Sequence, residues 1–304
     1  MNLRDLFYLD ALAEHRHFGR AAKACDISQP TLSSQIRKLE EELGVRLLER
    51  TNKRVEMTPV GQRILEHARG ALHAVDAIRD EARASRDPLV GPIRLGVIPT
   101  LAPYLMPYIL KPLREAYPGL TIDLWEDQTL ALVESLRNHR LDAALLATKA
   151  EGPEITEISL FVEPLLAALP LGHRLAKKNP VREEDLADEL LVLAEGHCLA
   201  NQALAACGPK PARRASLQGS MQAATLDTLV NLVAAGYGST LIPALAVDSF
   251  KRRDVVLRRL AGRSTRTIRL VSRPGFPRPQ ALRALEKVIR KAVGTSVELR
   301  SLSA

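Results

Sequence analysis

Between Pro59 and about Ser85, the residues Val60, Ile64, Leu65, Ala68, Leu72, Val75 and Ile78 recur at helical spacing over roughly seven turns. No other stretch constrains the fold as much. A helix of that length beside a small domain predicts a dimerisation arm or linker. Arg86-Asp87-Pro88-Leu89-Val90-Gly91-Pro92 ends it and marks the clearest boundary in the chain. The expected division is a small domain over residues 1–58, a linker helix and hinge over 59–90, and a larger domain over 91–304.

Within residues 1–58, Leu3, Leu6, Phe7, Leu9, Ala11, Leu12 and Ala13 predict a helix broken near His15-Arg16-His17. A second short helix runs from Phe18 to about Cys25. Ser28 suits an N-cap, Pro30 the first turn and Gly44 the stop of a third helix, whose Leu32, Ile36, Leu39 and Leu43 form one apolar stripe. The opposite side presents Gln29, Thr31, Ser33, Ser34 and Arg37, short donors and acceptors suited to base edges in a major groove. Leu47 to Thr58 alternates and turns at Thr51-Asn52-Lys53-Arg54, a wing that offers Arg50, Lys53 and Arg54 to phosphates. The pattern is that of a winged helix-turn-helix.

Residues 91–304 alternate strand and helix and predict an α/β domain with mainly parallel strands. Ligands in such sheets bind beyond the carboxyl ends of strands, where loops enter helices. Thr100 follows the first strand and Thr129 the second, so both hydroxyls are expected at a cleft whose helix N-termini favour anions or polar ligands. Each is equally explained as a helix cap.

Cys198 and Cys207 stand nine positions apart, and the residues between them are mostly good helix formers. A helix across them separates the alpha carbons by about 13 Å at roughly 1.5 Å per residue, whereas a disulfide tolerates no more than about 7 Å. If the thiols pair, the segment must come apart and reform, which makes it a two-state switch; the alternative is two small buried residues. A sensor thiol is expected to have its pKa lowered by donors or positive charge. His197 is adjacent, but adjacent residues on one helix do not face each other, so a surface histidine explains it as well.

Three cysteines cannot form an even disulfide framework, and the opening Met-Asn-Leu-Arg-Asp has no signal-peptide profile, so a reducing, cytoplasmic setting is expected. No apolar run approaches the ~18 residues of a membrane span. The net charge of +8 hints at a polyanionic partner, yet the excess lies in residues 250–304, with 15 basic residues against 3 acidic. That implies either a separate basic surface or solvated arginine faces.

Ala21-Ala22, Ser28-Gln29-Pro30-Thr31-Leu32-Ser33, Gln35-Ile36, Leu39-Glu40, Leu43-Gly44-Val45, Leu47-Leu48-Glu49-Arg50 and Thr58-Pro59-Val60-Gly61 together resemble the DNA-binding signature of LysR-type transcriptional regulators. The resemblance implies a dimerising linker helix and a regulatory domain like the periplasmic binding proteins, in which subdomain I comprises 91–162 and 268–304 and subdomain II 163–267. It also implies assembly as a homotetramer, a dimer of dimers. Gln29, Pro30, Thr31, Ser33, Ser34, Arg37, Arg50 and Lys53 would then contact double-stranded promoter DNA, with RNA polymerase and a thiol reductant as further partners and no membrane.

Gly196-His197-Cys198-Leu199, Gln202-Ala203 and Cys207, with Pro99-Thr100, Gln128-Thr129, Arg266-Thr267-Ile268 and Arg273-Pro274-Gly275, resemble the redox centre of the hydrogen-peroxide-sensing members of that family. By that resemblance Cys198 is the peroxidatic sensor and Cys207 resolves it as a disulfide. Thr100, Thr129 and His197 position peroxide, Arg266 lies near the thiolate, and no metal or cofactor is needed. Ala200-Asn201 stands where such members often carry Arg-Asp, which removes a cation beside the thiol. The alternatives are a regulator answering a small organic effector in the inter-subdomain cleft, a thiol peroxidase, and a solute-binding protein. A helix-turn-helix has no use in an enzyme, and a solute-binding protein needs a signal peptide.

Overall fold

The structure is a computed structural model describing residues 1–50, 55–84, 87–150, 152, 154–207, 223–251 and 253–294. It divides into two compact units, Met1–Arg83 and Ala84–Ala304.

The first unit contains α1 (Leu3–His15), α2 (Phe18–Ala24), α3 (Gln29–Leu43), β1 (Leu48–Arg50), β2 (Val55–Met57) and α4 (Pro59–Ala84). Local chemistry sets each boundary. Asn2 and Asp5 close a reciprocal capping box on α1, and Arg16 ends that helix in the left-handed region at φ 47°. The Ser28 hydroxyl accepts from Thr31 N at the start of α3, and Gly44 ends it at φ 67°. Leu32, Ile36 and Leu39 of α3 are buried with Leu9, Leu12 and Ala21 in one core. β1 and β2 pair antiparallel, with Leu48 opposite Met57. One carboxylate oxygen of Glu40 accepts from Leu47 N and Leu48 N at 2.8 and 3.2 Å, tying the base of this ribbon to α3. Cys25 is the half-buried C-cap of α2, packed against that core.

The second unit begins with β3 (Gly91–Val97), α5 (Ala102–Ala116), β4 (Leu120–Glu126), α6 (Thr129–Arg137) and β5 (Ala143–Leu146), then β6 (Thr156–Pro170). It continues through α7 (Cys198–Cys207), α8 (Leu226–Ala234), β7 (Thr240–Pro243), α9 (Val247–Phe250), β8 (Val255–Arg259), β9 (Thr265–Ser272) and α10 (Pro279–Gly294). The sheet runs β4-β3-β5-β9-β6-β7, with β8 also on β6.

The expectation of mainly parallel strands holds only for β3 with β4 and with β5. The pairings β5/β9, β6/β9, β6/β7 and β6/β8 are all antiparallel. The reason lies in β6 and β9. They are long neighbouring strands with opposed directions, and Val162 is the register partner of Thr267. β6 pairs with β9 over Thr156–Pro164 and then with β7 and β8 over Leu165–Pro170, so one continuous strand joins the β9 side of the sheet to the β7 and β8 side.

The arginine-rich C-terminal stretch is divided: Arg253, Arg263, Arg283 and Arg290 are exposed, as solvated faces require, while Arg266 and Arg278 are buried. Arg258 donates to Ala176 O at 2.8 Å, Arg273 to Leu136 O at 2.8 Å and Arg278 to Val90 O at 2.8 Å, while Arg290 reaches Ser159 O at 2.6 Å. These guanidinium groups tie backbone carbonyls of segments distant in sequence to the C-terminal part of the chain.

Candidate functional site

Two places carry chemistry. In the first unit, Gln29, Pro30, Thr31, Ser34 and Arg37 are exposed along the leading part of α3, with Ser33 half-buried. The Ser28 and Thr31 hydroxyls share a hydrogen bond of 2.7 Å, which fixes the Thr31 rotamer beside the cap. Arg50 ends β1. Lys53 and Arg54, the expected phosphate contacts of the turn, lie outside the described residues.

The second site forms where three elements of the second unit begin. The chain leaves β3 through Ile98 and Pro99 to Thr100, leaves β4 through Asp127 and Gln128 to Thr129, and reaches α7 through Gly196 and His197 to Cys198. Ile98, Pro99, Thr100, Gln128, Thr129, Gly196, His197 and Cys198 line one concavity of about 170 Å³, too narrow as it stands to seat a water-sized sphere. Gly196 is required there. It sits at φ 93°, and a Cβ would overlap the Gln128 carboxamide, which donates to Glu195 O at 3.3 Å.

Neither threonine is a helix cap. The N-cap of α5 is Leu101, with no side-chain cap, and that of α6 is Gln128, also with none. The Thr100 hydroxyl accepts from Arg266 Nη1 at 2.9 Å, and Thr100 O accepts from Nη2 at 3.0 Å. The Thr129 hydroxyl lies beside the Cys198 sulfur and favours its ionised form, yet it is buried without a hydrogen bond of good geometry. A buried hydroxyl in that condition is one that a small polar ligand can satisfy.

Cys198 is the first residue of α7, 9 % exposed. Burial pushes its thiol above the ordinary value, while Arg266, the amides of Leu199 and Cys198, and Thr129 pull the other way without cancelling it. The expected lowering is therefore not what the fold delivers, because desolvation exceeds the available positive charge. His197 is buried rather than a surface residue, and burial lowers its pKa. Ala200, the position without a cation, is itself buried, while Asn201 is exposed.

Cys207 is not part of this concavity. It is the last residue of α7 and 3 % exposed; burial, with the charge of Glu183 adding, pushes its thiol up to about 11. All three cysteines are free thiols.

Sequence reasoning missed two supporting residues, Glu163 and Glu183, and gave Gln202 a place in the motif but no role. Glu163 makes an ion pair with Arg266 at 2.8 Å, both side chains fully buried. A lone carboxylate in the apolar run Leu160–Leu169 is the signal that could have found it, since such a group needs a partner. Gln202 donates to Ala147 O at 2.9 Å and so ties α7 to the end of β5. Glu183 accepts from Gly262 N at 2.9 Å and the Ser264 hydroxyl at 2.8 Å.

Residues 3–62 match the bacterial regulatory helix-turn-helix protein family lysR, and residues 86–294 match the LysR substrate binding domain. The chain is 45 % identical over 293 residues to the DNA-binding transcriptional dual regulator OxyR of Escherichia coli strain K12, covering 95 % of each. Among solved structures it resembles a full-length Pseudomonas aeruginosa OxyR carrying a cysteine-to-aspartate change, with TM-score 0.74, 35 % identity and 95 % of each chain covered. It also resembles an H2O2-bound cysteine-to-serine mutant of Corynebacterium glutamicum OxyR, with TM-score 0.68, 32 % identity, and 99 % of this chain and 95 % of that one covered.

Proposed function

This chain belongs to the LysR family of bacterial transcription regulators, and from that premise we propose that it is a hydrogen-peroxide sensor switched by a reversible disulfide between Cys198 and Cys207. The observation that carries the reading is the placement of the two thiols. One borders a small concavity beside an unsatisfied hydroxyl, and the other is buried at the far end of the same helix.

The chemistry is a two-electron oxidation. The Cys198 thiolate attacks one peroxide oxygen, the S–O bond forms as the O–O bond breaks, and the departing hydroxide takes a proton to leave as water. Cys207 then attacks the sulfenic sulfur, forming the S–S bond and expelling a second water, with its own proton passing to the leaving oxygen. A cellular dithiol returns two electrons and two protons. Thr100, Thr129 and His197 orient the peroxide, and Arg266 supports the charge on sulfur. Because α7 holds the two alpha carbons about 13 Å apart, the disulfide requires α7 to unwind. That movement is the event transmitted to the DNA-binding heads.

Pockets for small organic ligands run to roughly 300–1,000 Å³, whereas the concavity at Cys198 seats not even a water-sized sphere as it stands, so it must open for any ligand, and peroxide asks far less opening than an organic effector. Gln29, Pro30, Thr31, Ser33, Ser34 and Arg37 read base edges of promoter DNA, and Arg50 and Lys53 hold phosphates. Assembly as a dimer of dimers, contact with RNA polymerase and reduction by a thiol system complete the proposal. The deciding experiment titrates the reduced protein with hydrogen peroxide and follows thiol count and DNA footprint together. A footprint that changes in step with the loss of two thiols supports the reading, and thiol loss with an unchanged footprint overturns it.

A further inference from the structure

Arg266 and Glu163 are register partners on the antiparallel strands β9 and β6, and each side chain is 0 % exposed. Each nitrogen of the guanidinium donates one hydrogen bond. Nε donates to Glu163 Oε2 at 2.8 Å, while Nη1 and Nη2 donate to the hydroxyl and carbonyl of Thr100 at 2.9 and 3.0 Å. The other Glu163 oxygen accepts from Leu245 N at 2.7 Å. The Nη atoms of the cation thus hold Thr100, which lines the concavity, while the carboxylate sits at Nε, a fixed dipole with its positive end toward Thr100.

We propose that Glu163 is the counter-ion that sets the threshold of the sensor: by neutralising Arg266 from behind, it withholds much of the cation's attraction from the Cys198 sulfur and keeps the pocket unresponsive to trace oxidant. The inference rests on the reading of Cys198 as the peroxidatic thiol. A buried cation without a partner is costly and draws a compensating negative charge from whatever ionisable group is in reach. With Glu163 present, that demand is met inside the β-sheet. With it removed, Cys198 is the acidic group on the open side of Arg266 best placed to meet it.

The other charged or titratable groups around this centre are His197 on the segment carrying Cys198, Tyr104 of α5, Glu126 of β4 and Asp227 of α8. Tyr104 is raised by burial, by Asp227 and by Glu126, and is lowered by Arg266. Glu126 is itself raised by burial. None of these groups is within hydrogen-bonding distance of Arg266 among the described bonds, so Glu163 alone pairs with it directly.

The test is the pH dependence of Cys198 alkylation by iodoacetamide in full-length protein with Cys25 and Cys207 changed to serine. Glu163→Gln is expected to move the midpoint down by about one pH unit, and Glu163→Asp, which keeps the charge, to restore most of the wild-type profile. A tenfold gain in thiolate, offset by the lower nucleophilicity of a weaker base, makes peroxide oxidation at neutral pH about threefold faster. An unchanged midpoint in Glu163→Gln overturns the proposal. So does a higher one, which would mean that Glu163 merely holds Arg266 in place.

If Glu163→Gln does not fold, Arg266→Gln is measured instead: with the cation gone and the Glu163 carboxylate left, the midpoint must rise, and a midpoint that stays put or falls refutes the proposal. Failure of the underlying reading looks different. In that case peroxide leaves Cys198 and Cys207 of the wild-type protein reduced, whatever the alkylation profiles show.

Discussion

Cys198 and Cys207 are the first and last residues of one unbroken helix, each buried and neither within bonding reach of the other. Their separation means that any disulfide between them reports a changed fold. It also means that each thiol can be perturbed without touching the surroundings of the other.

Cys198→Ser should abolish the peroxide-dependent change in DNA footprint while leaving specific DNA binding intact. Cys25→Ser should alter neither, since Cys25 is a half-buried helix cap in the other unit. A normal peroxide response in the Cys198 variant removes the sensor assignment.

Thr129→Val should slow oxidation by hydrogen peroxide by about tenfold or more, yet slow a general aromatic disulfide reagent far less. The reagent needs a thiolate but no oriented peroxide, and each lost charge-assisted hydrogen bond in such a site is worth on the order of 1.5–3 kcal/mol. Stopped-flow traces with both oxidants decide the matter, and equal slowing would mean that the hydroxyl only tunes the thiol.

Gly196→Ala should fold but respond poorly. The added methyl meets the Gln128 carboxamide and must also hold a positive φ, so the mouth of the concavity is displaced. We expect peroxide oxidation to fall while DNA affinity in the reduced state is retained; undiminished oxidation would show that this turn does not shape the site.

Stability should fall in alkaline solution. Burial raises both thiols of α7, Cys207 to about 11. A group whose pKa is raised on folding ionises first in the unfolded chain. Its stabilising contribution is therefore complete below the unfolded value, about 8.5 for a thiol, and is lost as pH climbs through the folded one. Urea unfolding of the reduced protein across that window should show a declining midpoint, and Cys207→Ala should flatten the decline. Parallel curves for the two proteins would contradict it.

In the DNA-binding unit, Gln29→Ala or Ser33→Ala should weaken specific sites by roughly 1–3 kcal/mol and relax base preference. Arg50→Ala should weaken all DNA similarly and flatten the salt dependence by about one counterion. Footprints and salt titrations on matched and scrambled DNA separate the two classes, and altered sequence preference in the Arg50 variant would place the reading element elsewhere.

Local rules were enough to read much of this chain from its residues alone. Ser28, Pro30 and Gly44 bound α3 through caps and turn conformations that depend on a few neighbouring atoms. The repeat from Val60 to Ile78 foretells α4 because amphipathic spacing is itself the signal. The Cys198–Cys207 helix was legible from the helix propensity of the residues between the two thiols. What only tertiary structure decided involves partners distant in sequence. Glu163 meets Arg266 across 103 positions, and Arg266 meets Thr100 across 166. The antiparallel sheet depends on β6 and β9 lying side by side, a choice that alternating hydrophobicity does not encode. The raised Cys198 pKa follows from the same cause. Desolvation is set by everything packed around a thiol, and no neighbour in the sequence reveals how completely water will be excluded.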